Sequence, residues 1–179
     1  MRFVAADPGI VVGSHLSLAV AAFAYEGPVR RALARLKYAG ASSIAEPVAE
    51  RAAPTLERLA ALSGSAVLVP VPIHVERRRQ RGYNQAALLA RRLGKASHRP
   101  VVELLERSAI TERQHRLDRA ARMRNLRGAI SVRPRCAVPA VVIVVDDILT
   151  TCATLETCAA VLHAQGGGEV YGFAIAREL

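Results

Sequence analysis

Two adjacent carboxylates, Asp146 and Asp147, follow the strongest strand pattern in the chain, Val138–Val145 (VPAVVIVV). A continuous apolar run of this kind is typical of a strand buried on both faces of a parallel sheet. After the carboxylates comes a turn of small and hydroxyl residues that opens a predicted helix. The pattern therefore predicts that both acids and the turn lie at the carboxyl end of a strand, where open α/β sheets bind ligands.

The turn has the composition of a phosphate-binding loop. Backbone N–H groups at a helix N-terminus attract a dianion, and the hydroxyls of Thr150, Thr151 and Thr154 add polar contacts. The two carboxylates before the turn can accept hydrogen bonds from a sugar diol. A ribose 5-phosphate fits this combination, although a strand that ends in an acid and a helix capped by threonine are also common without any ligand.

A second charged segment follows another predicted buried strand, Ala66–Pro72 (AVLVPVP). Guanidinium groups make bidentate contacts that suit a diphosphate, but a solvated basic loop or a nucleic-acid-binding loop has the same composition. The candidate diphosphate-binding residues are Arg77, Arg78, Arg79 and Arg81. Asn84 is predicted to cap the next helix rather than to contact a ligand.

The elements that must position these groups alternate between strand and helix patterns. Helices are predicted over 25–37, 44–62, 84–95, 111–124 and 154–165, and strands over 66–72, 101–105, 128–132, 138–145 and 170–176. Pro47 and Pro54 are expected in a first turn or at a break. The alternation predicts an α/β fold with an open parallel sheet covered by helices on both faces. One compact domain is expected, with a small N-terminal helical hood (1–64) and a core (65–179).

Composition limits the classes of function. Lys and Arg total 25 against 15 acidic residues, a net charge of +10, which attracts phosphorylated molecules, nucleic acids or anionic membranes. Cys136, Cys152 and Cys158 form neither a disulfide framework nor a zinc pattern, so a reducing, cytoplasmic location is expected. The apolar stretch Leu16–Tyr25 has a signal-like end, but its flanks and length favour a buried element and no membrane span.

Several common enzyme classes lack their minimum motifs in this chain. The sequence contains no GxSxG, HExxH, P-loop or dinucleotide fingerprint. The sequence therefore does not support a function as a hydrolase, metalloprotease, NTPase or dehydrogenase.

The run VVIVVDDILTTCATL (Val141–Leu155) resembles the phosphoribosyl-diphosphate (PRPP) motif of type I phosphoribosyltransferases. More of the chain resembles one branch of that class, the ComF family of competence-associated proteins. The supporting segments are YEGPVRRALARLKYAG (25–40), VPVP (69–72), RRRQRGYNQAALLA (77–90) and TERQHRLDRAARMRNLRGAISV (111–132).

The resemblance implies a PRPP pocket and a type I phosphoribosyltransferase-like fold. It assigns the acid pair as catalytic, the arginines to the diphosphate, and the phosphate to Thr150, Thr151, Cys152, Ala153 and Thr154. The implied activity is transfer of phosphoribose from PRPP, with Mg²⁺ carried by PRPP, to an unidentified acceptor. The alternative is a non-catalytic PRPP sensor, or a protein that binds single-stranded DNA during uptake or recombination. The acceptor and the oligomeric state stay open.

Two features depart from the family pattern. Family members commonly begin with a cysteine-rich zinc-binding segment, and no cysteine precedes Cys136 here. Cys152 stands where the motif usually has Gly, so we expect a negative φ at this residue. The helix N-terminus and nearby arginines favour a lowered thiol pKa to the extent that the thiol is exposed, whereas a small side chain that fills a small space is the more frequent role of a free cysteine.

The arginine-rich segment 111–127 matches the position of a mobile loop in the class. Within it, His115 is predicted to be a surface residue. We expect the arginines of 77–81 and 113–127 to form one basic face at the mouth of the pocket.

Overall fold

The computed structural model describes residues 13–38, 41–107 and 130–178. Its central sheet has four parallel strands in the order β1, β6, β5, β2, with Val101 added beside β2 through one parallel bridge to Leu68. The strands are β1 (Leu18–Ala24), β2 (Val67–Pro70), β5 (Val141–Leu149) and β6 (Glu169–Arg177). They are buried along most of their length, as their continuous apolar runs predict.

Helices cover both faces of this sheet. They are α1 (Gly27–Tyr38), α2 (Ala45–Ser63), α3 (Val75–Arg81), α4 (Gln85–Ala96) and α5 (Ala153–Ala164), with a 3-10 turn at Ser42–Ile44. One core cluster joins α1, α2 and α4 to one face. The other joins α5 and a small antiparallel pair, β3 (Leu105–Arg107) and β4 (Ile130–Val132), to the opposite face. The predicted α/β fold, an open parallel sheet covered by helices on both faces, is confirmed.

Two local expectations are wrong, and one helix was not predicted. Pro54 lies inside the uninterrupted helix α2, because the buried face of that helix (Ala49, Ala52, Leu56) outweighs one missing backbone hydrogen bond. The arginine segment, to which no secondary structure was assigned, forms the short helix α3. The strand expected over 101–105 is reduced to the bridge at Val101, and pairing resumes only in β3.

The apolar stretch near the N-terminus forms β1, which is an edge strand of the central sheet and pairs with β6 from Leu18 to Ala24. Helix α2 packs against both β1 and β6. Part of the segment expected to be a hood therefore belongs to the main sheet. The division at residue 64 remains a prediction.

The connections create a crevice at the carboxyl ends of β2 and β5. After β5 the chain passes through α5 to β6, which lies next to β5 on the side of β1. After β2 the chain passes through α4 to Val101, which lies on the opposite side, beyond β2. The two crossover helices also lie on opposite faces of the sheet. Open α/β sheets bind ligands at such a reversal of strand order.

Candidate functional site

A polar cleft of about 460 Å³ lies at this reversal. Its floor is formed by Asp146 and Asp147 of β5, and its walls come from α1, from the segment after β2, from α3, and from the start of α4 and of α5. Charged groups that border it are Lys37, Arg77, Arg81, Arg107, Asp146 and Asp147. Cationic side chains therefore outnumber the carboxylates in a cleft of the size that binds a small phosphorylated molecule.

The acid pair lies within β5 rather than after it. Pairing with β2 ends at Val145, where the Val71 N–H donates to the Val145 carbonyl at 2.9 Å, whereas pairing with β6 continues to Leu149. The strand therefore extends beyond one of its two neighbours. Because of that extension, Asp146 and Asp147 reach the cleft although they still belong to a regular strand.

Strand alternation directs the two carboxylates to opposite faces of the sheet. Asp147 shares its face with α1, and its Oδ2 atom lies 2.8 Å from the Lys37 ammonium nitrogen. Asp146 lies on the face of α5 and β3, where Arg107 and Cys158 are the nearby ionisable groups. Both carboxylates nevertheless border the same cleft.

Asp146 is half-buried at the edge of the cleft. Its Oδ1 atom accepts a hydrogen bond from the Asp147 N–H at 2.8 Å. Burial, together with the neighbouring charge of Asp147, raises the pKa of Asp146 to about 7. Burial also lowers the pKa of the Arg107 guanidinium, with the charge of Arg77 acting in the same direction. The acid pair thus contains one carboxyl group that can exchange a proton near neutral pH.

The predicted phosphate loop joins the end of β5 to α5. Thr150, Thr151 and Thr154 are exposed, and Thr154 borders the cleft. Cys152 is the N-cap of α5 with φ 58° and ψ −5°, a left-handed conformation, and its side chain makes no capping hydrogen bond. The expected negative φ is therefore wrong. The loop keeps the backbone conformation that glycine adopts most easily, and a Cβ atom is accommodated in it at a cost in strain.

The condition for a lowered thiol pKa, an exposed Cys152, is not met. Cys152 is only 7% exposed and packs with the apolar cluster around α5. Burial raises the pKa of its thiol, and the charge of Glu156 adds to the shift, whereas Arg177 opposes it. Cys152 is therefore a small buried side chain with a protonated thiol rather than an activated nucleophile.

Helix α3 separates the predicted arginines. Arg77 and Arg81, four residues apart, lie on one face and border the cleft. Arg78 borders a neighbouring cleft of about 410 Å³, and Arg79 borders neither. Gly82 ends the helix with φ 81°, which turns the chain into α4.

The residues that follow Gly82 build the cleft wall. The Asn84 Oδ1 atom accepts from the Ala86 N–H at 3.1 Å, and its Nδ2 group donates to the Val71 carbonyl at 2.9 Å. The predicted N-cap is confirmed, and it also ties α4 to the end of β2. Gln85 is 4% exposed and accepts from Arg81 at 3.1 Å, whereas its Nε2 group has no partner among the described residues.

Lys37, Tyr38 and Arg107 border the cleft and were not singled out from the sequence. Lys37 and Tyr38 end an amphipathic helix, and in the sequence alone a lysine there reads as a solvated helix terminus. Arg107 follows a short apolar run, and the direction of its side chain is fixed only by the pairing of β3 with β4. Tertiary contacts, rather than a local pattern, reveal these residues.

Other sequence-based predictions lie outside the described residues. These are the helix over 111–124, His115, and the arginines of 113–127 in the proposed basic face. Among the helices of the described ranges, none is long and apolar enough to cross a membrane.

Mg²⁺ prefers oxygen ligands in octahedral geometry. Within 13–38, 41–107 and 130–178, no group of three or more His, Cys, Asp or Glu side chains could hold a metal ion. Moreover, the Lys37 ammonium contacts the Asp147 carboxylate. The described side chains do not fit a metal site built by the protein alone.

Three curated proteins illustrate what the chain is similar to. Competence protein ComFC of Bacillus subtilis is 29% identical over 144 residues, which cover 80% of this chain and 57% of that protein. Competence protein F of Haemophilus influenzae is 30% identical over 179 residues, 96% of this chain and 73% of that protein. DNA utilization protein YhgH of Escherichia coli O6:H1 is 30% identical over 164 residues, 87% of this chain and 70% of that protein.

A solved structure described as the allosteric regulatory enzyme of purine biosynthesis aligns with 73% of this chain and 26% of its own, at 19% identity and a TM-score of 0.48. That similarity is too weak to bear on function. No family model matches the chain. The alignment with Competence protein F nevertheless covers nearly the whole chain and most of that relative. On this similarity the chain belongs to the ComF family of competence proteins.

Proposed function

We propose that this protein binds PRPP in the cleft between β2 and β5 and transfers its phosphoribosyl group to an acceptor. The observation that carries the proposal is the meeting of the acid pair with Arg77, Arg81 and Thr154 around one cleft. Carboxylates suit a ribose diol, guanidinium groups suit a diphosphate, and the start of α5 suits the 5-phosphate. The three parts of PRPP thus have a chemical counterpart in this cleft.

In the proposed reaction the bond from the ribose C1 to the diphosphate oxygen breaks, and diphosphate leaves with the electron pair. A heteroatom of the acceptor forms the new bond to C1 and loses a proton. The carboxylate of Asp146 is suited to receive that proton because its pKa is raised to about 7. Arg77 and Arg81 would stabilise the charge that develops on the departing diphosphate.

Mg²⁺ enters this proposal only as a companion of PRPP. The described side chains do not form a metal cluster, and Lys37 already neutralises part of the acid pair. The roles assigned here to the acid pair and to the arginines require no metal bound by the protein.

The alternative function is binding of single-stranded DNA, with PRPP as a signal or without PRPP. It is favoured by the names of the relatives, which refer to competence and to DNA utilization, and by the net charge of +10. The neighbouring cleft adds basic groups, since Arg78, Arg91, Arg107 and Arg133 border it beside Glu103 and Glu106. Against it, the described residues offer few exposed aromatic rings for base stacking, Tyr38 being the most exposed at 79%.

Two titrations of the wild-type protein separate these functions. Calorimetry with PRPP and Mg²⁺ is expected to give saturable binding, and an assay of diphosphate release with candidate acceptors then tests transfer. A single-stranded oligonucleotide is titrated in parallel over a range of salt concentrations. Binding of DNA that weakens steeply with salt, without any binding of PRPP, would replace the proposed function by the alternative.

A further inference from the structure

The side chain of Lys37 is more buried than lysine side chains usually are. It lies in the last turn of α1, yet its side chain is only 19% exposed and its ammonium lies 2.8 Å from Oδ2 of Asp147, itself 13% exposed. Ion pairs between exposed side chains contribute little and need no fixed geometry. This pair is instead largely shielded, and it borders the proposed PRPP cleft.

The end of α1 is held firmly against the cleft wall. Leu36, which precedes Lys37, is 1% exposed and belongs to the core cluster. Its carbonyl accepts a hydrogen bond from the hydroxyl of Tyr83, one residue before the N-cap Asn84. The backbone at Lys37 is therefore fixed by the same segment that builds the arginine side of the cleft, so the position of its ammonium is preorganised.

The ammonium retains capacity to bind. A lysine has three N–H donors, and the contact with Asp147 uses one of them. In the ranges that the structure describes, no further acceptor is found for the other two. Lys37 is also one of four cationic side chains that face two carboxylates around this cleft. An anionic ligand that enters would find an oriented cation already beside the acid pair.

We propose that Lys37 is a ligand-binding residue, whose ammonium bridges Asp147 and a phosphate or diphosphate oxygen of the phosphorylated sugar. The inference rests on the proposed function. It adds that the protein itself supplies part of the positive charge that a divalent cation would otherwise bring to the acid pair. The site then binds its ligand without a divalent cation, more weakly than with one.

A purely structural role for Lys37 is the competing explanation. A basic residue in the last turn of a helix interacts favourably with the helix dipole wherever it points. Arg35 shares that turn but is exposed and does not border the cleft. Arg35→Gln therefore removes the same charge from the same turn and serves as the matched control for Lys37→Gln. Glutamine at 37 can still donate a hydrogen bond to Asp147, which protects the fold.

The test is calorimetric titration with PRPP in two buffers, one with Mg²⁺ and one with EDTA. We expect wild type to bind in both, and Lys37→Gln to lose roughly tenfold or more in EDTA, the size of one charge-assisted hydrogen bond. With Mg²⁺ the loss is expected to be smaller. Arg35→Gln is expected to stay within roughly twofold of wild type in either buffer, and Lys37→Arg to recover most of the affinity in EDTA.

Three outcomes would overturn the proposal, and they are distinguishable. If wild type binds PRPP with Mg²⁺ and not in EDTA, the claim that Lys37 supplies part of the cation's charge is wrong while the proposed function stands. If wild type binds PRPP and Lys37→Gln binds it equally well in EDTA, the assignment of Lys37 is wrong while the proposed function stands. If wild type binds PRPP in neither buffer, the proposed function fails, and the assignment fails with it. Melting curves of all variants are compared, and if the Gln variant melts early its titrations are run below its melting transition, where the ratio of its affinities in the two buffers still decides the question.

Discussion

At Cys152 the chain holds an L-residue in a left-handed conformation, with φ 58°, at the start of α5. Such a residue normally costs about 1–2 kcal/mol relative to its preferred conformations, and glycine escapes that cost. The buried thiol recovers part of the loss through its contacts around α5. The position therefore separates two effects, backbone strain and side-chain packing, that substitution can measure independently.

We predict that Cys152→Gly is more stable than Cys152→Ala by about 1 kcal/mol, because both lose the sulfur and only alanine keeps the strained Cβ. Urea denaturation of the two variants measures this difference. At a position in a helix interior or a strand, the alanine variant would be the more stable of the two. Cys152→Gly is also expected to bind PRPP at least as well as wild type. A more stable alanine variant, or a strong loss of binding in the glycine variant, would contradict this reading of the loop.

Asp146 links the proposed chemistry to pH. Its pKa is raised to about 7 in the folded protein, whereas an unfolded chain releases that proton near pH 4. Between these values the folded state binds the extra proton, so its contribution to stability is present at low pH and is lost as pH rises towards 7. The same burial that suits the carboxyl group for proton exchange therefore costs stability at neutral pH.

We predict that Asp146→Asn reduces the fall in unfolding free energy between about pH 4.5 and about pH 7.5, and is more stable than wild type at about pH 8. The measurement is urea denaturation of both proteins across that range. Glu50→Gln, on the exposed side of α2, is the control and is expected to follow wild type. Parallel curves for Asp146→Asn and wild type would show that this carboxyl group has an ordinary pKa.

Among the elements, α3 decides which arginines can serve the cleft. The helix has only seven residues and no buried side chain, and it begins at a cap in which the His74 ring accepts from the Glu76 N–H at 3.3 Å. Its helical period places Arg77 on the cleft side and Arg79 away from both clefts. A run of adjacent arginines thus becomes a set of residues with different surroundings.

We predict that Arg77→Gln lowers the affinity for PRPP with Mg²⁺ roughly tenfold, because it removes a charge-assisted contact to the diphosphate. Arg79→Gln, an equal change of charge on the same exposed helix, is expected to remain within roughly twofold. Calorimetry under identical salt compares the two. Equal losses would mean that the arginines act through their general field and not through defined contacts.

Much of the architecture could be predicted because the signals were local. Val141–Val145 is apolar and β-branched throughout, Val67–Val69 is apolar, and the spacing of Val29, Leu33 and Leu36 is helical, so these elements follow from pattern alone. Helix α3 has no apolar face. Pro54 disfavours helix α2, which tertiary packing nevertheless maintains. The break expected at Pro54 does not occur because packing between elements, rather than propensity, keeps α2 continuous, and α3 was not predicted because it has no apolar periodicity that would reveal it.

At the scale of the whole molecule, the candidate site also has a part that could be predicted from the sequence and a part that could not. The acid pair and its threonine turn are contiguous in sequence, so their proximity could be predicted. Lys37 is 110 positions from its partner Asp147, and only the packing of α1 onto the sheet brings them to 2.8 Å. The direction of each carboxylate was also unpredictable, since it depends on how far β5 extends beyond β2.

The charge of the whole molecule makes a test of binding alone insufficient. With a net charge of +10, the protein will attract many anions, PRPP among them, at low ionic strength. Binding of PRPP at a specific site must instead depend on the two carboxylates, because their negative charge does not attract an anion. Loss of binding on removal of negative charge from the cleft therefore distinguishes hydrogen bonding to the ribose diol from general attraction.

Calorimetric titration of PRPP with Mg²⁺ into the double variant Asp146→Asn/Asp147→Asn, at about 0.15 M salt, makes this distinction. Glu50→Gln, an exposed position outside the cleft lining, is the matched control, and melting curves confirm that each variant is folded. If the acid pair holds the ribose hydroxyls, the double variant binds roughly a hundredfold more weakly than wild type, and Glu50→Gln binds as wild type does. A double variant that is folded and binds PRPP with unchanged or higher affinity would contradict the assignment of this cleft as a PRPP site.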